Sequence, residues 1–164
     1  IHKARSGVVK QSNQKQASIM KLSRTVSYAV RATLQLAESE TSTPVPCSRL
    51  ASEGEMPERF LLQILRVLVT HGILKSTRGV DGGYSLSRPA DQISLLEVIE
   101  AIDGPLEGDS LMAEGPGDAQ SKLQTALKQV TNTARNQLEA ITLSQLLPPP
   151  KMKGTRRDTT SSEN

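Results

Sequence analysis

Between Pro57 and Thr70 the apolar positions recur at helical spacing. Advancing by about 100° per residue, Leu61, Ile64, Leu65 and Leu68 share one face, with Phe60 and Val67 widening it. Arg59, Gln63, Arg66 and Thr70 collect on the opposite face. Pro57 suits the first helical position, where a missing N–H costs nothing. Gly72 suits the residue just past the helix, and His71 is well placed at the negative end of its dipole. The period then changes. Tyr84 to Ser87 alternates apolar and polar residues, whereas Ile73 to Thr77 is read as a strand from its place between Gly72 and a turn. The turn, Arg78-Gly79-Val80-Asp81-Gly82-Gly83, is rich in residues that tolerate positive φ. A helix followed by a β-hairpin is the order of a winged helix-turn-helix, whose two elements can grip adjacent parts of one DNA duplex. A nucleotide-cradling loop is the alternative, but such loops open a helix and carry other spacings.

The remaining pattern is helical. Ser23 is the expected N-cap of a helix over residues 24–38, with Val26, Ala29, Val30, Thr33, Leu34 and Ala37 as its buried face. A short second helix over 48–52 and a turn over 53–56 precede the 57–70 helix. Ser94 caps a helix over 95–102, which Gly104-Pro105 stops. A long amphipathic helix follows over 119–140, with apolar positions Leu123, Leu127, Val130, Ala134, Leu138 and Ile141 in steps of three or four. About 22 residues span roughly 33 Å, more than one small domain covers, so these six residues are the expected dimer interface; packing along the chain's own domain is the other reading. Thr142 caps a final turn over 143–147. The expected fold is mainly α: a winged helix-turn-helix with a two-stranded wing plus a long C-terminal dimerisation helix. Its layout is a disordered extension or tag over 1–19, the DNA-binding domain over 20–104, a loop over 105–118, the dimerisation helix and final short helix over 119–147, and a disordered tail over 148–164.

Composition narrows the class. Two Tyr, one Phe and no Trp leave an aliphatic core, which suits packed helices. No apolar run approaches a membrane span and the basic N-terminal stretch lacks an apolar signal region, so no membrane partner is expected and a bacterial cytoplasm is the simplest compartment. Charge is uneven: residues 20–90 carry a net +3, whereas residues 91–118 carry eight acids and no base. A basic half followed by an acidic segment fits DNA held at one end of the molecule; acids that merely solvate a helix and loop fit as well. The basic helix face likewise reads either as a DNA contact or as a solvated surface.

Several runs together carry a family resemblance. They are Met20-Lys21-Leu22-Ser23 through Tyr28-Ala29-Val30, Phe60-Leu61 with Gln63-Ile64-Leu65 and Leu68, Gly72, Arg78-Gly79 with Gly82-Gly83-Tyr84 and Leu86, and Ile93 through Ala101-Ile102-Asp103-Gly104. Over about residues 20–147 the chain resembles the Rrf-type bacterial transcription regulators, the family of IscR, NsrR and CymR. The resemblance implies a homodimer on double-stranded DNA at a pseudo-palindromic operator. It places base reading at positions matching Arg59, Leu62 and Gln63, with Arg66 on the same helix face, and a minor-groove contact at Arg78. Charge and the N-terminal N–H groups of the first helix put Lys21, Ser23 and Arg24 near phosphates, and Tyr28, Ser48, Pro57, Gly82 and Gly83 complete the expected DNA-binding set. Leu62 stands where some relatives carry an acid, so the operator should differ from theirs.

Cluster-binding relatives carry cysteines in the region of residues 106–118; this chain has none there, and Cys47 is its single thiol. A [2Fe–2S] cluster needs about four protein ligands, so no cofactor and no metal are expected. Asp109, Glu114 and Asp118 could meet a hard cation or be plainly solvated. Cys47 reads as a small buried residue, or as a redox switch if its pKa is lowered. With histidines only at positions 2 and 71, no catalytic set suggests itself and no enzyme is expected. Two functions remain: a sequence-specific transcriptional regulator, read as a repressor, or a winged-helix protein that acts mainly through a partner protein. The operator, any partner protein and any small effector are left open.

Overall fold

The computed structural model describes residues 22–39, 43–106 and 117–149. The expected extension over 1–19, Lys21, most of the 105–118 loop and nearly all of the 148–164 tail lie outside them.

Helix α1 (Arg24–Glu38) begins where its cap predicts: the Ser23 hydroxyl oxygen accepts from the Val26 amide at 3.1 Å, a contact worth about 1 kcal/mol. Its buried residues are Val26, Ala29, Ala32, Thr33 and Leu36, whereas Val30, Leu34 and Ala37 are half-buried. The stripe is rotated from the expected one because both α3 and α4 press on this helix. Thr33 can be buried because its hydroxyl donates to the Val30 carbonyl at 2.9 Å.

Helix α2 (Cys47–Glu53) starts one residue earlier than expected, since the Pro46 carbonyl accepts from the Leu50 amide at 3.2 Å and opens the helix. The turn into α3 (Glu58–Thr70) is held from α1, where the Arg31 guanidinium donates to the Gly54 carbonyl at 2.6 Å. Pro57 caps α3 instead of filling its first turn: its carbonyl accepts from the Leu61 amide at 2.9 Å. Leu61, Ile64, Leu65 and Leu68 are buried as expected. Phe60 and Val67 are not part of that face; they are 36% and 37% exposed, because the core closes over the arc between Leu61 and Leu68 and leaves its rim open. The helix ends in a Schellman motif: Gly72 (φ +70) donates to the Val69 carbonyl and Ile73 to the Leu68 carbonyl, both at 3.0 Å. Leu68 and Ile73 are buried together.

Strands β1 (Leu74–Thr77) and β2 (Gly83–Leu86) pair antiparallel, from Leu74 opposite Leu86 to Thr77 opposite Gly83. The hydrogen bond from Ser87 to the Ile73 carbonyl at 3.0 Å carries the pairing out to the expected Ile73–Ser87 extent. Val45 forms a further bridge to Tyr84, with bonds of 2.8 and 2.9 Å in the two directions. A 3₁₀ turn over Ala90–Gln92 leads to α4 (Leu95–Asp103), which opens with a full capping box between Ser94 and Glu97.

Helix α5 (Asp118–Ala140) buries one residue, Leu138, in a small cluster with Val26, Leu96 and Ile99. Helix α6 (Leu143–Leu146) packs back on the head: Leu143 is fully buried in the main core and its amide donates to the Ile93 carbonyl at 3.0 Å. The Leu95 amide donates to the Ile141 carbonyl at 2.8 Å, so α5 returns to the start of α4.

Candidate nucleic-acid interface

The described residues of the expected DNA-binding set sit on four elements: α1, the start of α2, α3 and the wing. On α3, Arg59, Gln63 and Arg66 are exposed and Leu62 beside them is half-buried. Pro57 and Ser48 are exposed at the starts of α3 and α2. Tyr28 reaches from α1 to α3, its ring meeting that of Phe60 edge-on with centroids 5.9 Å apart. At the α1 end, Ser23 both caps the helix and donates its hydroxyl to Asp103 of α4 at 3.1 Å.

Charge separates this set from the rest of the surface. The side chains of Arg24, Arg59, Arg66, Lys75 and Arg78 are exposed and, among the described residues, make no hydrogen bond or ion pair. Elsewhere the cations are engaged. Arg49 meets Glu53 at 2.8 Å, Arg88 meets Glu97 at 2.8 Å, Lys122 meets Asp118 at 2.7 Å, and Arg135 holds Glu100. Lys75 was not singled out in the sequence; the weak alternation of its strand hid the signal, although Leu74 is buried and Lys75 exposed.

Gly82 and Gly83 are accounted for within the chain. A β-carbon on Gly83 would lie 2.4 Å from the Val45 carbonyl oxygen, and one on Gly82 would lie 2.5 Å from that of Thr77. The wing therefore lies tightly against the strand segment before α2.

Among the described residues, two titratable groups are shifted. Burial alone would raise the Glu97 carboxyl, but the Ser94 amide and the Arg88 guanidinium, with the Ser94 hydroxyl, outweigh it and hold the group below the usual carboxylate range. Burial, and then the neighbouring Glu58 carboxylate, push the Cys47 thiol up. Cys47 is half-buried, with its sulfur 3.8 Å from the Glu58 carbonyl oxygen. A raised pKa disfavours the thiolate, which opposes a redox-switch role.

Along α5, Leu123 and Val130 are 46% and 68% exposed, and Leu127, Ala134 and Ile141 are half-buried. Leu138 departs from the expected seam, because α4 and α1 of its own chain already cover it. The end of α5 is fixed near α4 by Arg135, which also donates to the Leu106 carbonyl at 3.3 Å while the Leu106 amide donates to Glu100 at 2.8 Å.

Residues 22–149 match the family model Rrf2, described as an iron-dependent transcriptional regulator. The chain belongs to the Rrf2 family. It is 38% identical over 134 residues to a Mycobacterium tuberculosis protein named as an HTH-type transcriptional regulator, Rv1287, covering 77% of this chain and 81% of the relative. It is 35% identical over 101 residues to the HTH-type transcriptional regulator IscR of Cronobacter sakazakii, covering 62% of this chain and 61% of that one. Among solved structures, CymR, the global cysteine regulator of B. subtilis, superposes with a TM-score of 0.66 at 25% identity, over 78% of this chain and 96% of CymR. IscR of T. potens superposes with a TM-score of 0.63 at 28% identity, over 79% of this chain and 88% of that one. The fold is thus the winged helix-turn-helix of this family and the chain is a DNA-binding transcriptional regulator, not an enzyme. No described helix is long and apolar enough to cross a membrane.

The family's link to iron has a residue test. Iron–sulfur clusters are held mainly by thiolates, about four per cluster, and these 164 residues contain one cysteine. That cysteine sits at the start of α2 with a raised pKa, and no group of three metal-binding side chains lies together among the described residues. The residues present do not fit a cluster.

Proposed function

We propose that the protein is a homodimeric, sequence-specific repressor that binds a pseudo-palindromic operator without an iron–sulfur cluster. One observation carries the reading: among the described residues, the five exposed cations whose side chains lack partners all lie on the α1 end, the α3 outer face and the wing. Polyanionic DNA supplies the missing partner, and each phosphate neutralised releases counterions. In this reading Arg59, Leu62, Gln63 and Arg66 face the major groove, where Arg suits guanine and Gln suits adenine. Arg78 enters the minor groove, and Lys21, Ser23, Arg24, Tyr28, Ser48 and Pro57 approach the backbone. The exposed Leu123 and Val130, with Leu127 and Ala134, pair with a second copy across a two-fold axis, which places two heads on one duplex. A dimer bound over a promoter would repress by excluding other proteins from that duplex.

Selection of bound duplexes from fragmented genomic DNA, followed by titration of the winner at several salt concentrations, tests the reading. The expected result is a palindromic motif with an affinity that falls steeply with salt. Retention of a partner protein in place of any DNA motif would favour the protein-interaction reading.

A further inference from the structure

We infer that Val80 is a specificity-determining residue of the wing: it enters the minor groove beside Arg78 and favours A·T over G·C pairs there. The inference rests on the DNA-binding reading above. Val80 is the most exposed large hydrophobic residue among those described, at 103%. Single exposed apolar side chains are ordinary; this one differs in how it is presented. The Gly82 amide donates to the Gly79 carbonyl at 3.1 Å, closing a four-residue turn with Val80 and Asp81 at its corners. Gly79 takes φ +115 to enter that turn. Below it the hairpin is held in register to Thr77–Gly83 and tied to Val45 through Tyr84. Val80 therefore stands at the end of a braced hairpin, two residues from the partnerless Arg78.

The chemistry of the groove gives this position a use. The floor of the minor groove shows only acceptors at A·T pairs, and G·C pairs add the guanine amino donor. The guanidinium of Arg78 can satisfy acceptors. Valine methyl groups can lie against deoxyribose walls and the adenine edge, but they offer nothing to a guanine amino group, which would be stripped of water without a partner. A narrow groove, as A·T tracts provide, brings both walls against a branched side chain. The other corner residue, Asp81, is repelled by phosphates, so the tip leads with Val80.

Three versions of the selected operator test this: A·T, G·C or inosine·C at the pairs beneath the wing. Inosine keeps the major-groove edge of guanine but lacks the minor-groove amino group. Fluorescence anisotropy with the wild-type protein should show similar binding to the A·T and inosine·C duplexes and about tenfold weaker binding to G·C. Val80→Ser, at a fully exposed position, should shrink that gap to about threefold or less. A Val80→Ser protein that keeps the full gap overturns the inference, as does an inosine·C duplex that binds as poorly as G·C. A wild-type protein that binds none of the duplexes removes the DNA reading as well.

Discussion

The head from α1 to β2 and the α5 arm leave different things unfinished. In the head, Leu61, Leu65 and Leu68 are fully buried, while the side chains of Arg24, Arg59, Arg66, Lys75 and Arg78 have no partner among the described residues. In the arm the order is reversed. Lys122 and Arg135 are paired, but of 23 residues only Leu138 is buried, and Leu123 and Val130 stand in solvent. A fold that has closed its apolar core and left cations free is complementary to a polyanion. A helix that has satisfied its cations and left an apolar stripe free is complementary to another apolar surface. One chain thus presents two kinds of surface, and their separation keeps the reading surface clear when two copies meet.

The largest effect that bears on this contrast is in folding. Leu65→Ala should cost about 2–5 kcal/mol in denaturant unfolding, because it opens a cavity in a closed core. Leu123→Ala should cost under about 0.5 kcal/mol when unfolding is measured at a concentration low enough for the copies to separate. Comparable losses at the two sites would mean that α5 is covered by its own domain.

Next comes assembly. Leu123→Asp with Val130→Asp should turn a dimer into a monomer by light scattering while circular dichroism stays unchanged, because both positions are exposed within one chain and would face each other's charges only in a dimer. A double variant that remains dimeric would place the interface elsewhere. Leu138→Asp is the control: it should lower thermal stability, since Leu138 is buried beside Val26, Leu96 and Ile99.

Within the head, Arg59→Ala should cost about 1–3 kcal/mol of DNA affinity and relax specificity at one position per half-site. Uniform weakening across all sequences would make Arg59 a phosphate contact. Smallest is the pH effect at Glu97, which ties Arg88 to the α4 cap. Its folded-state pKa is lowered, so its contribution is present above the ordinary carboxylate pKa and is lost as pH falls through the lower folded value. Unfolding between about pH 5 and 3 should show a slightly steeper acid loss for wild type than for Glu97→Gln, by less than about 1 kcal/mol because the pair is partly exposed. Identical acid limbs would show that the cap adds nothing as a charged group.

Much of this was legible in the sequence, for local reasons. Ser23 and Ser94 marked their helix starts because a hydroxyl before an apolar period serves as a cap, and Gly72 marked a stop because only the left-handed conformation closes the Schellman motif. The three leucines and one isoleucine buried on α3 followed from period alone. Long-range choices were not legible. The Val45–Tyr84 bridge, the return of Ile141 to Leu95 and the burial of Leu143 in the head join residues far apart in sequence, with no local period to announce them. The α1 stripe was misjudged at Ala32 and Leu36 because two helices cover that helix, and a single-face pattern cannot show two neighbours. Among the candidate DNA-contacting residues, Arg59, Arg66 and Arg78 could be named from pattern and resemblance. That they lack partners, and that Lys75 joins them, is a property only of the folded chain.

The account's central claim is that these partnerless cations are held for DNA. Titrating the selected operator over a range of salt concentrations tests it most directly, with the wild-type protein compared with Arg24→Ala combined with Lys75→Ala. The account predicts a steep linear fall of log affinity with log salt, and a slope shallower by roughly four counterions per dimer in the variant, about one per cation removed. Salt-independent binding, or an unchanged slope in the variant, would contradict it.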